Sequence, residues 1–173
     1  MAVRTILHYP DPRLREKALP VAEINATIQQ LVDDMAETMY AAPGVGLAAT
    51  QIGEPHRIFV IDTAGEDEPS DLKVFINPEI VASDGKITWE EGCLSFPSVT
   101  EDIDRKARVR VRALNREGKA FELDAEGLLA VAVQHELDHL DGVLMIDHMG
   151  ALKKRIVDRK MRRREPQRPQ PSR

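Results

Sequence analysis

Apolar residues recur along this chain with two different spacings, and each spacing predicts one kind of element. A helix is predicted from about Ala26 to Ala41, where every third or fourth residue is apolar. This apolar stripe consists of Ile28, Leu31, Val32, Met35 and Met39. Asn25 is a suitable N-cap for the helix, and Pro43 followed by Gly44 would end it.

Strict alternation of apolar and polar residues, the spacing of a half-buried strand, is plain between residues 107 and 115. Val109, Val111 and Ala113 alternate there with arginines, so this strand should bury one face and expose the other. The arginines are most simply a solvated face. Further strands are predicted at residues 57–62, 72–77, 79–83, 86–90 and 119–124.

A third apolar segment, residues 125–141, has no proline and is apolar around most of its circumference, which predicts a buried helix that ends at Gly142. A basic helix is predicted at residues 151–164. Residues 1–23 should be irregular because of their prolines, and residues 44–53 should form a tight connection. This order of elements predicts an α+β fold, in which antiparallel β-sheets pack around the central helix, with an N-terminal helix and a basic C-terminal helix.

The composition is that of a globular domain, with 173 residues of which 42% are hydrophobic and 31% are charged. No apolar run approaches the roughly 18 residues of a membrane-spanning helix, and the N-terminal segment lacks the apolar core of a secretory signal. Cys93 is the only cysteine and can form no intramolecular disulfide, which agrees with a reducing compartment. We therefore expect a cytoplasmic protein that does not enter a membrane.

Charge is unevenly distributed along the chain, whose net charge is -5. Residues 151–173 contain ten Lys or Arg against Asp158 and Glu165, so the remaining 150 residues are strongly acidic. The end of the basic segment should be a disordered tail, because it contains Pro166, Pro169 and Pro171. An acidic body with a basic tail indicates that only the tail would meet a polyanion.

The predicted central helix carries candidate chemistry in the sequence His135-Glu136-Leu137-Asp138-His139. Histidines four residues apart are separated by about 400° of helical rotation, so both rings leave the same face and can share one metal ion. Glu136, next to the first histidine, would accept a proton from a water molecule at the ion without being a ligand. The same pattern can arise by chance around structural histidines, but the buried helix and the glutamate favour a metal site.

A catalytic site of this type needs a third protein ligand. The metalloprotease pattern H-E-x-x-H-x-x-G-x-x-H fits through Gly142 but fails at Met145, which stands where the pattern requires histidine. Upstream, Cys93 lies in a compact turn beside Gly92, and its thiolate would bind zinc or ferrous iron well. A Cys-His nucleophilic pair is the weaker alternative. Downstream candidates are Asp141, Asp147, His148 and Glu165.

Three motifs stand together in this chain: Gly44-Val45-Gly46-Leu47-Ala48-Ala49-Thr50-Gln51, Glu91-Gly92-Cys93-Leu94-Ser95 and Gln134-His135-Glu136-Leu137-Asp138-His139. In this order and spacing they resemble the signatures of the peptide deformylases, and the resemblance runs from the region of Arg4 to about Gly150. That family removes the formyl group from the N-terminal formylmethionine of newly made proteins. The resemblance implies a catalytic metallohydrolase domain at residues 1–150, followed by the basic segment at 151–173.

The resemblance also implies a role for each matching residue. Cys93, His135 and His139 would be the metal ligands, and Glu136 would be the general acid and base. Gln51 and the backbone N–H of Leu94 would stabilise the oxyanion. The metal in the cell would be Fe²⁺, with Zn²⁺, Ni²⁺ and Co²⁺ as alternatives. Substrate would be bound by Val45, Gly46, Trp89, Leu128, Val131 and Ala132, where the first two pair with its backbone and the apolar side chains enclose its methionine.

The expected partners are the formyl-Met N-termini of nascent polypeptides and, through the basic C-terminal segment, the ribosome; the protein itself should be a monomer. Family members often have an arginine shortly after the second motif, whereas this chain has none between Ser98 and Arg105, which puts its preference for later substrate residues in doubt. Two other functions stay open at this point. One is a small metalloprotease that cuts internal peptide bonds, and the other is a basic-tailed nucleic-acid or ribosome-binding module with structural histidines.

Overall fold

The computed structural model describes residues 2–164, which contain seven β-strands and three α-helices. The strands are β1 (Gly46–Ala48), β2 (Ile58–Ile61), β3 (Lys73–Asp84), β4 (Ile87–Cys93), β5 (Phe96–Arg105), β6 (Arg108–Leu114) and β7 (Ala120–Glu126). The helices are α1 (Ala26–Ala41), α2 (Gly127–Leu140) and α3 (Ala151–Arg164). Short 3-10 helices lie at Pro12–Arg15, Ala49–Ile52 and Met145–His148.

The strands form two antiparallel sheets. Five of them lie in the order β1-β2-β3-β6-β7, and β4 and β5 form a separate hairpin. Helix α2 contacts β1, β2, β6 and β7 of the larger sheet. The α+β class, with antiparallel sheets around a central helix, is therefore confirmed.

The alternation in β6 buries one face, as predicted. Val109, Val111 and Ala113 are at most 3% exposed and belong to the core cluster that α2 covers. The three arginines of β6 lie on the outer face and form ion pairs with carboxylates of the neighbouring strands. These pairs are Arg108 with Asp84, Arg110 with Asp124, and Arg112 with Glu122. Water screens exposed pairs of this kind, so they add little to stability and this face is a solvated surface.

Helix α1 begins and ends where the sequence predicts. The side chain of Asn25 accepts a hydrogen bond from the backbone N–H of Ile28 at 3.0 Å, which is the expected N-cap. The whole predicted stripe is buried, and Met35 and Met39 are fully covered. The helix packs on the sheet through the core cluster that also contains Leu47 and Val60.

Strand β3 is one strand where the sequence predicts two. Pro78 lies inside it without an N–H to donate, and the pairing with β6 shifts register between Ile76 and Glu79. Asn77 has a φ of 52°, and its side chain is hydrogen-bonded to both backbone groups of Val21 at 2.8 and 3.0 Å. The predicted break at Pro78 is therefore a β-bulge inside one strand, and the prediction that a strand ends there is wrong.

Two further strands lie in segments that the sequence did not predict as strands. Residues 44–53, expected as a tight connection, contain β1 and a 3-10 helix. Strand β5 carries Pro97 and several carboxylates, which are residues of low strand propensity. It forms because it pairs with β4 across the two-residue turn Leu94–Ser95, where Cys93 is opposite Phe96.

Helix α3 is observed over the predicted residues and buries two apolar side chains against the rest of the chain. Val157 and Met161 are 4% and 1% exposed, and they share a core cluster with Phe96 and Val99. The predicted disordered tail with its three prolines lies outside the described residues. Over residues 2–164, no helix is long and apolar enough to cross a membrane.

Candidate metal centre and active site

The two histidines of α2 and the cysteine of the β4–β5 hairpin meet at one point. His135 and His139 leave α2 one turn apart, with their ring centroids 5.0 Å from each other. Cys93, the last residue of β4, brings its Sγ to 3.3 Å from Nε2 of His139. One ligand atom from each of the three residues lies within 4.8 Å of the other two, so the group could hold a metal ion.

The chemistry of this donor set fits a divalent transition metal. One thiolate and two imidazoles suit zinc or ferrous iron, and three protein ligands leave room for water or substrate. Burial and the neighbouring His135 hold the pKa of His139 well below its usual range, whereas burial of His135 is outweighed by its interactions with Cys93 and Glu91, which hold its pKa well above that range. A bound ion would require both rings in the neutral form. The three residues are therefore suitable ligands for a divalent transition-metal ion.

The buried carboxylate of Glu91 orients the ring of His135. Nδ1 of His135 lies 2.9 Å from Oε1 of Glu91, which leaves Nε2 on the side of Cys93 and His139. Arg105 donates two hydrogen bonds of 2.8 Å to Glu91 and one of 2.7 Å to Asp138. Burial alone would raise the pKa of Glu91, but the bonds from Arg105 and His135 lower it to about 2. Glu91 is therefore ionised.

The sequence assigns no role in the site to either Glu91 or Arg105. Glu91 carries a usable signal, because it lies two residues before Cys93 in one strand and such residues share a face. Arg105 carries none, since it reaches Glu91 across the β4–β5 pairing and Asp138 across the gap to α2.

Glu136 lies beside the three potential ligands and is 4% exposed. Its Oε1 is 3.8 Å from Nε2 of His135, and its Oε2 is buried without a hydrogen-bond partner among residues 2–164. Burial raises the pKa of Glu136 to about 7. A Cβ atom on Gly46 would come within 3.1 Å of this side chain, so glycine is what lets β1 lie so close to the carboxylate.

A cavity of about 790 Å³ opens beside the three potential ligands. The cavity is lined by every residue that the sequence assigns to substrate: Val45, Gly46, Trp89, Leu128, Val131 and Ala132. Gln51, Leu94 and Glu136 also line it, together with Cys93 and the His135 ring. His139, which is 1% exposed, lies behind the cavity. The structure thus collects all the predicted site residues in one place.

Comparison with known proteins identifies the family. The model of the family described as polypeptide deformylase matches residues 3–155. Peptide deformylase 1 of Burkholderia multivorans is 52% identical over 166 residues, covering 95% of this chain and 91% of the relative. The peptide deformylase of Alkalilimnicola ehrlichii is 54% identical over 161 residues, covering 93% and 90%.

Solved structures are similar as well. A crystal structure of a peptide deformylase from Legionella pneumophila superposes with a TM-score of 0.89 at 46% identity, covering 97% of this chain and all of the other. One from Ehrlichia chaffeensis gives 0.91 at 35% identity, covering 96% and 98%. These likenesses agree with the three motifs and with the geometry of the site, and the chain belongs to the polypeptide deformylase family.

Proposed function

We propose that this deformylase holds one divalent ion with Cys93, His135 and His139, and that it hydrolyses the formyl group of N-terminal formylmethionine beside that ion. The observation that best supports the proposal is the meeting of the thiol and the two imidazoles within 4.8 Å, next to the buried carboxylate of Glu136. When bound, such an ion supplies Lewis acidity, which makes water nucleophilic near neutral pH. The alternative of a protease for internal peptide bonds is not favoured by the family match.

The protons of the reaction are carried by Glu136. Its unpartnered Oε2 is available to take a proton from the attacking water while the new C–O bond forms at the formyl carbon. The C–N bond then breaks, formate leaves, and the same carboxyl group returns the proton to the methionine amine. Negative charge that develops on the formyl oxygen is met by Nε2–H of Gln51 and by the backbone N–H of Leu94.

The substrate backbone is bound as an additional strand. Among residues 2–164, strand β1 pairs on one side only, with β2, and the cavity is lined by its first residue Gly46 and by the preceding Val45. The methionine side chain enters the apolar part of the cavity, which is formed by Val45, Trp89, Leu128, Val131, Ala132 and the His135 ring. Each methylene buried there contributes roughly 0.8 kcal/mol, which is enough to prefer a long apolar side chain.

Release of formate from a formyl-Met peptide tests the proposed reaction. We expect Glu136→Ala to keep its metal and to lose turnover, because the substitution removes the proton carrier and leaves the three ligands in place. Glu79→Ala is the matched control, since Glu79 is an exposed carboxylate of β3 outside the cavity. Full turnover in Glu136→Ala, or cleavage of internal peptide bonds without formate, would contradict the proposal.

The metal in the cell is proposed to be Fe²⁺, with Zn²⁺, Ni²⁺ and Co²⁺ able to occupy the same ligands. A thiolate with two imidazoles is a donor set that both iron and zinc accept, so the choice depends on supply and on oxidation. Anaerobic purification followed by elemental analysis tests this assignment. Zinc at full occupancy after anaerobic purification, with no iron, would contradict it.

The exposed face of α3 is proposed to dock on ribosomal RNA near the exit of nascent chains. Arg155, Arg159 and Arg163 follow each other at helical spacing and are exposed, and their side chains make no ion pair with any of residues 2–164. The other cations of α3 either form ion pairs with carboxylates or donate to backbone carbonyl groups of β5. These free arginines are therefore available for phosphates.

Charge reversal tests this docking without removing the buried side of α3. The variant with Arg155→Glu, Arg159→Glu and Arg163→Glu should keep its activity on short peptides and lose salt-sensitive binding to ribosomes. The control variant carries Lys17→Glu, Lys86→Glu and Lys119→Glu, which make the same charge change at exposed positions elsewhere. Equal ribosome binding by both variants would refute the proposal.

Three further expectations are proposed on the same basis. The protein is proposed to be a monomer, and sedimentation at micromolar concentration tests this. We place the enzyme in the cytoplasm, where chains begin with formylmethionine, and fractionation tests that. We also propose that residues 1–150 form the catalytic domain and that residues 151–173 form a basic segment. Val157 and Met161 of this segment pack on the catalytic domain.

A further inference from the structure

The side-chain amide of Gln51 is held at both of its polar atoms. Gln51 is 1% exposed, and its Oε1 accepts a hydrogen bond of 2.9 Å from the backbone N–H of Ala48. Its Nε2 donates to the hydroxyl of Ser95 at 3.0 Å. The same Nε2 lies 3.7 Å from Sγ of Cys93, so the amide is directed at the metal centre.

These contacts allow only one orientation of the amide. A flip would place Nε2 against the Ala48 N–H, which is donor against donor, and would move both N–H groups away from Cys93. In the observed orientation, Ser95 takes one N–H of Nε2. The second N–H is left on the side of Cys93, where the formyl oxygen would develop its charge.

Ser95 is itself placed with little freedom to move. It is fully buried in the two-residue turn between β4 and β5, directly after Leu94. Its carbonyl oxygen accepts a hydrogen bond of 3.0 Å from the backbone N–H of Tyr9, which ties the turn to the N-terminal segment. The hydroxyl therefore has a defined position from which to orient Gln51.

We propose that Ser95 is a positioning residue, whose hydroxyl holds the Gln51 amide so that its second N–H meets the negative charge formed on the substrate. This inference rests on the proposed role of Gln51. Without the hydroxyl, the amide keeps its bond from Ala48 and its 3.7 Å contact with Sγ of Cys93, and it can rotate more freely about its last side-chain bond. The donor is then no longer pre-aligned, although it is still present.

Measurement of kcat and KM for a formyl-Met peptide tests this role. Ser95→Ala should lower kcat about tenfold and leave KM and metal content close to those of the parent, because alignment matters only when charge develops. Gln51→Ala should lower kcat by about 10²–10³. Thr38→Ala is the control for losing a buried hydroxyl elsewhere. Thr38 is 1% exposed, and its hydroxyl donates to the backbone carbonyl of Asp34. This substitution should lower the melting temperature and leave kcat unchanged.

The double variant separates positioning from a general structural effect. If Ser95 acts only through Gln51, then adding Ser95→Ala to Gln51→Ala should lower kcat no further. The same tenfold loss in both backgrounds, or an unchanged kcat in Ser95→Ala beside an impaired Gln51→Ala, would overturn the inference and leave the proposed function standing. An unchanged kcat in Gln51→Ala itself would overturn the proposed role of Gln51, and the inference with it.

Discussion

Single side chains in this site serve more than one neighbour. Glu91 accepts from His135 and from Arg105, and Arg105 also binds Asp138, which lies beside the other histidine in sequence. Gln51 similarly connects β1, the hairpin turn and Cys93. A substitution at this scale therefore changes the position of a neighbour as well as the group that it removes.

Replacement of the cysteine tests the metal ligands. Cys93→Ser should lose both bound metal and activity, because a serine hydroxyl is a far weaker ligand than a thiolate for iron or zinc. His139→Ala should behave in the same way. Elemental analysis together with formate release checks the expectation, and Glu136→Ala, which should retain metal, is the comparison. Full metal occupancy in Cys93→Ser would exclude Cys93 as a ligand.

A methyl group on β1 tests how closely Glu136 must be placed. The added Cβ in Gly46→Ala would lie 3.1 Å from the Glu136 carboxyl carbon, so the carboxylate must move by a few tenths of an ångström. We expect kcat to fall about tenfold at unchanged metal content, because proton transfer depends steeply on geometry. Gly150→Ala, where a Cβ meets no atom within 4 Å, is the matched control. Equal kcat in the two variants would contradict the expectation.

At the scale of elements, α2 is positioned by contacts at its site face and by the chain that follows its C-terminus. The β4–β5 hairpin meets its site face, and the chain after its C-terminus passes against the N-terminal segment. There, a Cβ on Gly142 would lie 2.6 Å from the carbonyl oxygen of Arg15. This glycine ends the helix with a φ of 75° and also permits the contact.

Two glycines with positive φ, one at the start of α2 and one just after its end, allow the conformational role and the close contact to be separated. Gly127→Ala carries only the conformational penalty of a positive φ of 60°, because a Cβ there meets no atom within 4 Å, and it should cost about 1 kcal/mol. Gly142→Ala adds a backbone clash to the same penalty and should cost more, about 2–4 kcal/mol in total. Chemical denaturation of both variants measures the difference. Equal losses would show that the Arg15 contact relaxes freely.

At the scale of the whole molecule, the buried carboxylate of Asp34 in α1 binds the N-terminal segment. Asp34 is 4% exposed and accepts hydrogen bonds from Arg4, from Gln30 and from the backbone N–H of Ala2. Burial opposes its ionisation, but these bonds lower the pKa of Asp34 below its ordinary value. The ionised carboxylate is therefore part of the folded state.

Acid titration of stability tests this fastening. Because the pKa of Asp34 is lower in the folded chain than in the unfolded one, its contribution is complete above the unfolded pKa of about 3.9 and is lost as the pH falls through the folded pKa. Asp34→Asn should reduce the free energy of unfolding at neutral pH by about 1–3 kcal/mol, and the difference from the parent should shrink below pH 4 or so. Urea denaturation at several pH values measures it. A difference that grows in acid would reverse the sign and refute the assignment.

Local pattern was sufficient for the helices and for most strands of this protein. The apolar stripe of α1, its Asn25 cap and the alternation of β6 are consequences of backbone periodicity, which neighbouring residues alone determine. Strand β5 and the continuity of β3 were not predictable in this way. One exists only because β4 pairs with it, and the other continues through Pro78 because its partners lie on both sides of the bulge.

The sequence by itself determined that His135 and His139 share a helix face, since four residues make about one turn, and the three motifs together indicated the family. Only the tertiary structure decided that Cys93, more than forty positions upstream of His139, reaches the same point. It also decided that Arg105 donates to Glu91 and that the Gln51 amide donates to the hydroxyl of Ser95. The reason is physical: contacts within a helix follow from its repeat, whereas contacts between elements depend on register, bulges and packing that the whole chain settles together.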